Sequence, residues 1–152
     1  MIALAALPSA RAAPLDLPYD ETADAAADVA AAFATARAER KPVLLVFGAN
    51  WCLGCRLLHE DMTEPELARF IDARFVVVKV DVGNWQRNLD LAAAWGDPIA
   101  DGLPGLVLAT PEGETLLAAR STRVAAAQRL DPGAFRTLFE ELARSARDRG
   151  AR

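Results

Sequence analysis

KPVLLVFGANWCLGC, residues 41–55, runs an apolar stretch straight into both cysteines of the chain. Lys41-Pro42 stops the preceding helix, since proline lacks an amide hydrogen and disfavours helical backbone just before it. VLLVF (43–47) is apolar at every position, as expected of a strand covered on both faces. From Leu53 to about Met62 the spacing becomes helical. Trp51-Cys52-Leu53-Gly54-Cys55 therefore falls where a buried strand hands over to a helix. A thiol there meets unpaired N–H groups and the positive end of the helix, which favour its thiolate. Two intervening residues bring the second sulfur within bonding reach. In disulfide exchange, Cys52 is then the exposed attacking thiol and Cys55 the buried resolving one.

Working outward, DETADAAADVAAAFATARAERK reads as a helix with Val29, Ala32, Phe33 and Ala36 on one stripe. Asp20 or Thr22 caps it, and Asp24 and Asp28 suit its N-terminal end. Thr63 and Glu66 form a capping box around Pro65 for a further helix. FVVVKVDV (75–82) is a second strand, and WQRNLDLAAAW (85–95) a helix. GLPGLVLAT and ETLLAA are short strands joined through Pro111-Glu112-Gly113, a hairpin turn. Asp131 caps and Pro132 starts a last helix burying Phe135, Leu138, Phe139 and Leu142. The order α-β-α-α-β-α-β-β-α describes one α/β domain. It occupies residues 20–148, between a lead at 1–19 and a tail at 149–152.

The totals agree with that division. At 152 residues, 53% hydrophobic and 25% charged, the chain is one globular domain's worth. Its two cysteines are too few for a disulfide scaffold, so they act as one unit. Net charge is -4, yet residues 120–152 carry eight arginines against four acids. No aromatics interleave with those arginines, which argues for a solvated helix face and against nucleic acid as a partner. IALAAL followed by Ala10-Arg11-Ala12 has the small-x-small pattern of a signal-peptidase site on a truncated signal. An exported, periplasmic protein is the expectation, with a cytoplasmic one the alternative. No stretch approaches the ~20 apolar residues that cross a bilayer, so stable membrane insertion is not expected.

The cysteine spacing fits other chemistries too. Haem attachment requires histidine directly after the second cysteine, where this chain has Arg56. Structural zinc takes four ligands, and Cys52, Cys55 and His59 supply three at most. The same three suit a soft ion such as Cu(I), which keeps a metal-binding module open as an alternative. A binding scaffold with inert cysteines is a third reading.

KPVLLVFGANWCLGC, the VVVKVDV strand and GLPGLVLATPEGETL together resemble the thioredoxin-like family, in particular its exported bacterial members with a long N-terminal helix. The resemblance spans about residues 23–142. It implies a thioredoxin-like fold: a central mixed sheet flanked by helices, with an extra N-terminal helix. It further implies a protein thiol–disulfide oxidoreductase, more a reductase than an oxidase, that needs no organic cofactor. Its partners would be protein disulfides or dithiols and an upstream dithiol electron donor. Carried over, Cys52 is the nucleophile and Cys55 the resolving thiol. Pro104 is the cis-proline, Leu103 offers its backbone to substrate, and Trp51 packs beside the site. The buried acid that family members often keep six residues before the first cysteine is here Val46, while Lys79 matches its usual companion and Asp81 lies nearby. Proton handling is therefore rerouted. Arg56 is a candidate modulator of the Cys52 thiolate. His59, roughly 10 Å along the helix from Cys52, is read as a surface residue. Trp85 and Trp95 read as core or groove packing, and GNWQRN (83–88) as a partner-selecting insertion.

Overall fold

Every side chain of β1 (Val43–Gly48) is buried, and the apolar run resolves into two alternating sets. Leu44 and Val46 face one core, with Leu58, Met62, Leu67, Ile71, Phe139 and Leu142. Val43, Leu45 and Phe47 face the other, with Val29, Phe33, Val80 and Ala92. Successive strand residues point to opposite faces, so helices on both sides require apolar residues at both parities. The computed structural model describes residues 16–130 and 133–150.

β1 is central in a four-stranded sheet of order β2-β1-β3-β4. β2 (Val76–Asp81) pairs with it in parallel, and β3 (Gly105–Ala109) antiparallel; β3 in turn pairs antiparallel with β4 (Thr115–Ala119). Helix α1 (Ala25–Glu39) covers one face, joined by the short α4 (Leu89–Ala94). On the other lie α2 (Leu53–Thr63), α3 (Pro65–Asp72), α5 (Ser121–Leu130) and α6 (Ala134–Gly150). This mixed sheet with a preceding N-terminal helix is the expected thioredoxin-like fold.

Several local readings are corrected. Asp24 caps α1, accepting from Ala27 N at 3.0 Å. Asp20 instead closes a tight turn on the N–H and hydroxyl of Thr22 at 2.8 and 2.7 Å. Thr63 does not cap α3; its hydroxyl donates back to Glu60 O at 2.8 Å, and Glu64 stands at the N-cap with no side-chain bond. The helix expected over 85–95 shrinks to α4 because local polar bonds outcompete it. Asn88 donates to Asp81 O at 2.7 Å, and Trp85 and Asn88 both adopt left-handed backbone. Helix α5 carried no signal in the sequence; among its described side chains Val124 is fully buried and Ala127 half-buried. The capping residues expected for α6, Asp131 and Pro132, lie outside the described residues, but its stripe of Phe135, Leu138, Phe139 and Leu142 is buried.

Phe139 is fully buried against the sheet from α6. Phe139→Ala is expected to cost about 3–5 kcal/mol in urea-induced unfolding through lost burial and the cavity left behind.

Candidate active site

Where β1 ends, Ala49, Asn50 and Trp51 turn the chain, and Cys52 becomes the N-cap of α2 with extended backbone, φ -77° and ψ 115°. Its sulfur accepts the N–H of Cys55 at 3.2 Å, one of the helix's otherwise unpaired donors. The Cys55 thiol also donates to the Cys52 sulfur, at 2.6 Å. Both are free thiols. The two are covered to different depths: Cys55 is 1% exposed and Cys52 7%, so the attacking thiol is less open than its expected role suggests. Trp51 and Leu53 on either side are 53% and 69% exposed and form the rim.

Electrostatics separate the pair further. The hydrogen bond from the Cys55 thiol, helped by the backbone N–H groups of Cys55 and Gly54, lowers Cys52 to about 7 against the opposing effect of burial. Holding its proton toward Cys52, and being buried, pushes Cys55 well above the ordinary thiol range. A thiolate near neutral pH beside a thiol that keeps its proton is the state required for attack on a disulfide.

The other expected residues divide into those that meet the sulfurs and those that do not. Leu103 packs against the cluster that holds both cysteines, and its bond to Pro104 is cis. The Leu103 carbonyl accepts from Ser121 Oγ at 3.0 Å. Trp51 donates from Nε1 to Gly83 O at 2.8 Å and lies tilted against Trp85, with ring centroids 6.4 Å apart. Trp85 is thus an exposed part of the rim, whereas Trp95 stacks on Phe33 in the core. Arg56 is exposed, with no ion pair among the described residues.

His59 is not the free surface group expected. Its Nδ1 faces Lys79 Nζ at 2.6 Å and its Nε2 faces Asp16 at 3.4 Å, with the side chain only 15% exposed. Lys79, paired across the sheet with Val46, is held below its ordinary pKa chiefly by burial. Among the described residues, no three histidine, cysteine or acidic groups converge as metal ligands. Asp81 is buried and paired with Arg87 at 2.7 Å, and among the described residues its Oδ1 has no hydrogen-bond partner. Burial raises its pKa, with Arg87 opposing.

Sequence reasoning missed two residues of the site. Tyr19, the one tyrosine of the chain, sits in the proline-punctuated lead yet is buried against Cys52 and Cys55. Asn50 holds the Tyr19 backbone at both its N–H and its carbonyl. A lone aromatic among prolines was the available signal.

A sequence profile described as thioredoxin-like matches residues 24–111. The chain belongs to the thioredoxin-like family. The structure of a disulphide isomerase from Xylella fastidiosa Temecula1 matches with a TM-score of 0.80 at 41% identity, covering 84% of this chain and 98% of that one. A DsbH oxidoreductase matches at a TM-score of 0.51 and 23% identity, covering 67% and 82%. Thioredoxin O2 from Arabidopsis thaliana gives 0.50 and 20%, covering 77% and 88%, so these last two bear on the fold alone. No curated protein sequence matches. On this family's fold, a Cys-x-x-Cys pair at the strand–helix junction is a thiol–disulfide oxidoreductase centre.

Alkylation of the reduced protein by iodoacetamide is expected at Cys52, with a rate that rises through a midpoint of about 7 and gains about tenfold between pH 6 and its plateau. A midpoint near the ordinary ~8.5 would contradict the geometry.

Proposed function

We propose that the chain exchanges disulfides with protein substrates, as a reductase, through Cys52 and Cys55. The observation that carries this is the graded pair: the Cys52 sulfur, capping the start of α2, accepts a hydrogen bond from the deeper Cys55 thiol, which lowers Cys52 to about 7 and leaves Cys55 its proton. The Cys52 thiolate attacks a substrate disulfide, forming a mixed disulfide and expelling one substrate thiolate. Cys55 then attacks Cys52, a second substrate thiolate leaves, and the pair ends oxidised by two electrons.

The direction has a physical argument. Strong stabilisation of the thiolate stabilises the reduced pair and makes an oxidant, as in DsbA with its pKa of about 3.5. A value of about 7 is the modest lowering found in thioredoxin itself. As a reductase the pair must be reduced again, so an upstream dithiol protein is its electron donor. Leu103, beside cis-Pro104, offers backbone to an extended substrate segment, with Trp51 bordering the approach. Arg56 and Lys79 act as modulators of charge around the pair.

We also assign the protein to an exported compartment, with residues 20–148 as a working domain that Tyr19 of the lead completes. Cleavage after Ala12 would leave Tyr19 on the mature chain. None of the described helices is long and apolar enough to cross a membrane.

Cys52→Ser is expected to abolish dithiothreitol-driven reduction of insulin, falling at least a thousandfold to background. Cys55→Ser should instead accumulate a mixed disulfide, visible as a substrate adduct on non-reducing gels. Undiminished turnover in Cys52→Ser would refute the proposal.

A further inference from the structure

Cys55 must give up its proton in a place that water hardly reaches. Its sulfur lies in a buried cluster with Cys52 and Tyr19, against which Leu103 packs, and the protic side chains in that cluster are Cys52 and Tyr19. The Tyr19 hydroxyl and the Cys55 sulfur converge on one point beside Gly48, where a phenol that donates to the sulfur lowers the Cys55 pKa. Gly48 leaves the gap in which they meet: a Cβ there would fall 2.2 Å from the tyrosine oxygen and 2.8 Å from the Cys55 sulfur.

The tyrosine is held in place by the active-site loop itself. Asn50 Oδ1 accepts from Tyr19 N at 2.9 Å, and Asn50 Nδ2 donates to Tyr19 O at 3.0 Å, pairing with it as a neighbouring strand would. The same Nδ2 reaches Glu21 Oε1 at 3.1 Å, and Arg87 donates to the Glu21 carbonyl. Packing alone gives no reason to bury a hydroxyl against sulfur, because a buried O–H is costly unless it is bonded.

We infer that the Tyr19 hydroxyl is a catalytic hydrogen-bond donor to Cys55 in the step that releases product, and that Asn50 is the positioning residue that keeps it there. This deepens the thiol–disulfide reading above and rests on it. In the mixed disulfide, Cys52 sulfur is bonded to substrate sulfur and no longer carries the charge that held the Cys55 proton. Cys55 attacks it as a thiolate; the Cys52–Cys55 bond forms while the Cys52–substrate bond breaks. The two cysteines are oxidised, the substrate sulfur is reduced, and it leaves as a thiolate that takes up the proton Cys55 released. Tyr19 donates to Cys55 as negative charge collects there and keeps its own proton. Burial first, then the charges of Cys55 and Cys52, hold the phenol well above its usual range.

The neighbouring charged groups are few. From β2 come Asp81, paired with Arg87, and Lys79, which is paired with His59 of α2 and lies 6.0 Å from the Tyr19 ring centroid. From the lead comes Glu21, held by Asn50. Among the described residues, none of these hydrogen-bonds the Cys55 sulfur.

The test is stopped-flow reaction of the reduced full chain with 5,5′-dithiobis(2-nitrobenzoate). A first thionitrobenzoate leaves as Cys52 is capped, and a second as Cys55 displaces the cap. Tyr19→Phe, which preserves the ring, is expected to lower the ratio of second-phase to first-phase rate about tenfold or more and to move the second phase's pH midpoint upward. Asn50→Ala should shift both readouts the same way. A Tyr19→Phe protein with the wild-type ratio and pH profile would overturn the role of Tyr19, and an unaltered Asn50→Ala that of Asn50. A wild-type protein that releases only the first equivalent would overturn the thiol–disulfide reading, and the role of Tyr19 with it.

Discussion

The Cys52 sulfur stands where a helix usually places a serine or aspartate oxygen, accepting the Cys55 N–H in the first turn of α2 at the end of a fully buried strand. That position makes an unremarkable thiol reactive, and the fold is arranged to hold it. β1 has the sheet on both edges and helices on both faces, so its end cannot drift. The helix it feeds is anchored in the core through Leu58 and Met62. A nucleophile built on such rigid elements does not depend on loop ordering for its geometry.

From this junction follows the division of labour between two chemically identical side chains. Cys52 gains donors from backbone and from its partner, which lowers its pKa. Cys55, one helical turn inward, faces protein on every side, and its pKa rises. The two shifts share one hydrogen bond, so disturbing either sulfur alters the other. Val46, where the resemblance places a buried acid, is an apolar core residue and supplies nothing protic. Tyr19 brings a hydroxyl to the deep sulfur from outside the sheet altogether, on a segment tethered by the loop that presents the nucleophile.

The core of this arrangement was legible because strong local signals coincide with strong tertiary demands. A continuous apolar run announces a two-sided strand, and cysteines at its end announce a thiol pair. The Leu103-Pro104 element was placed by the resemblance to the thioredoxin-like family. Other features depend on interactions that sequence periodicity does not encode. Among the described side chains of helix α5, Val124 alone is fully buried, too narrow a stripe to register. The loop before α4 follows from Asp81, whose carboxylate and carbonyl bind Gly83, Arg87 and Asn88 and divert a helical pattern into left-handed turns. The Lys79–His59 contact joins residues on different elements, which helical spacing alone could not reveal. Tyr19 was hidden for the same reason: only the folded chain brings the lead to the back of Cys55.

The proposed function makes Cys52 and Cys55 a reducing couple. Its most direct test is the equilibrium potential of that couple in defined thiol–disulfide buffers, read by the fraction of intramolecular disulfide. A value near or below about -230 mV is expected, in the range of glutaredoxin and thioredoxin couples. A value near about -120 mV, that of a strong oxidant, would contradict the assigned direction of electron flow. Failure to form the disulfide under any buffer would contradict the claim itself.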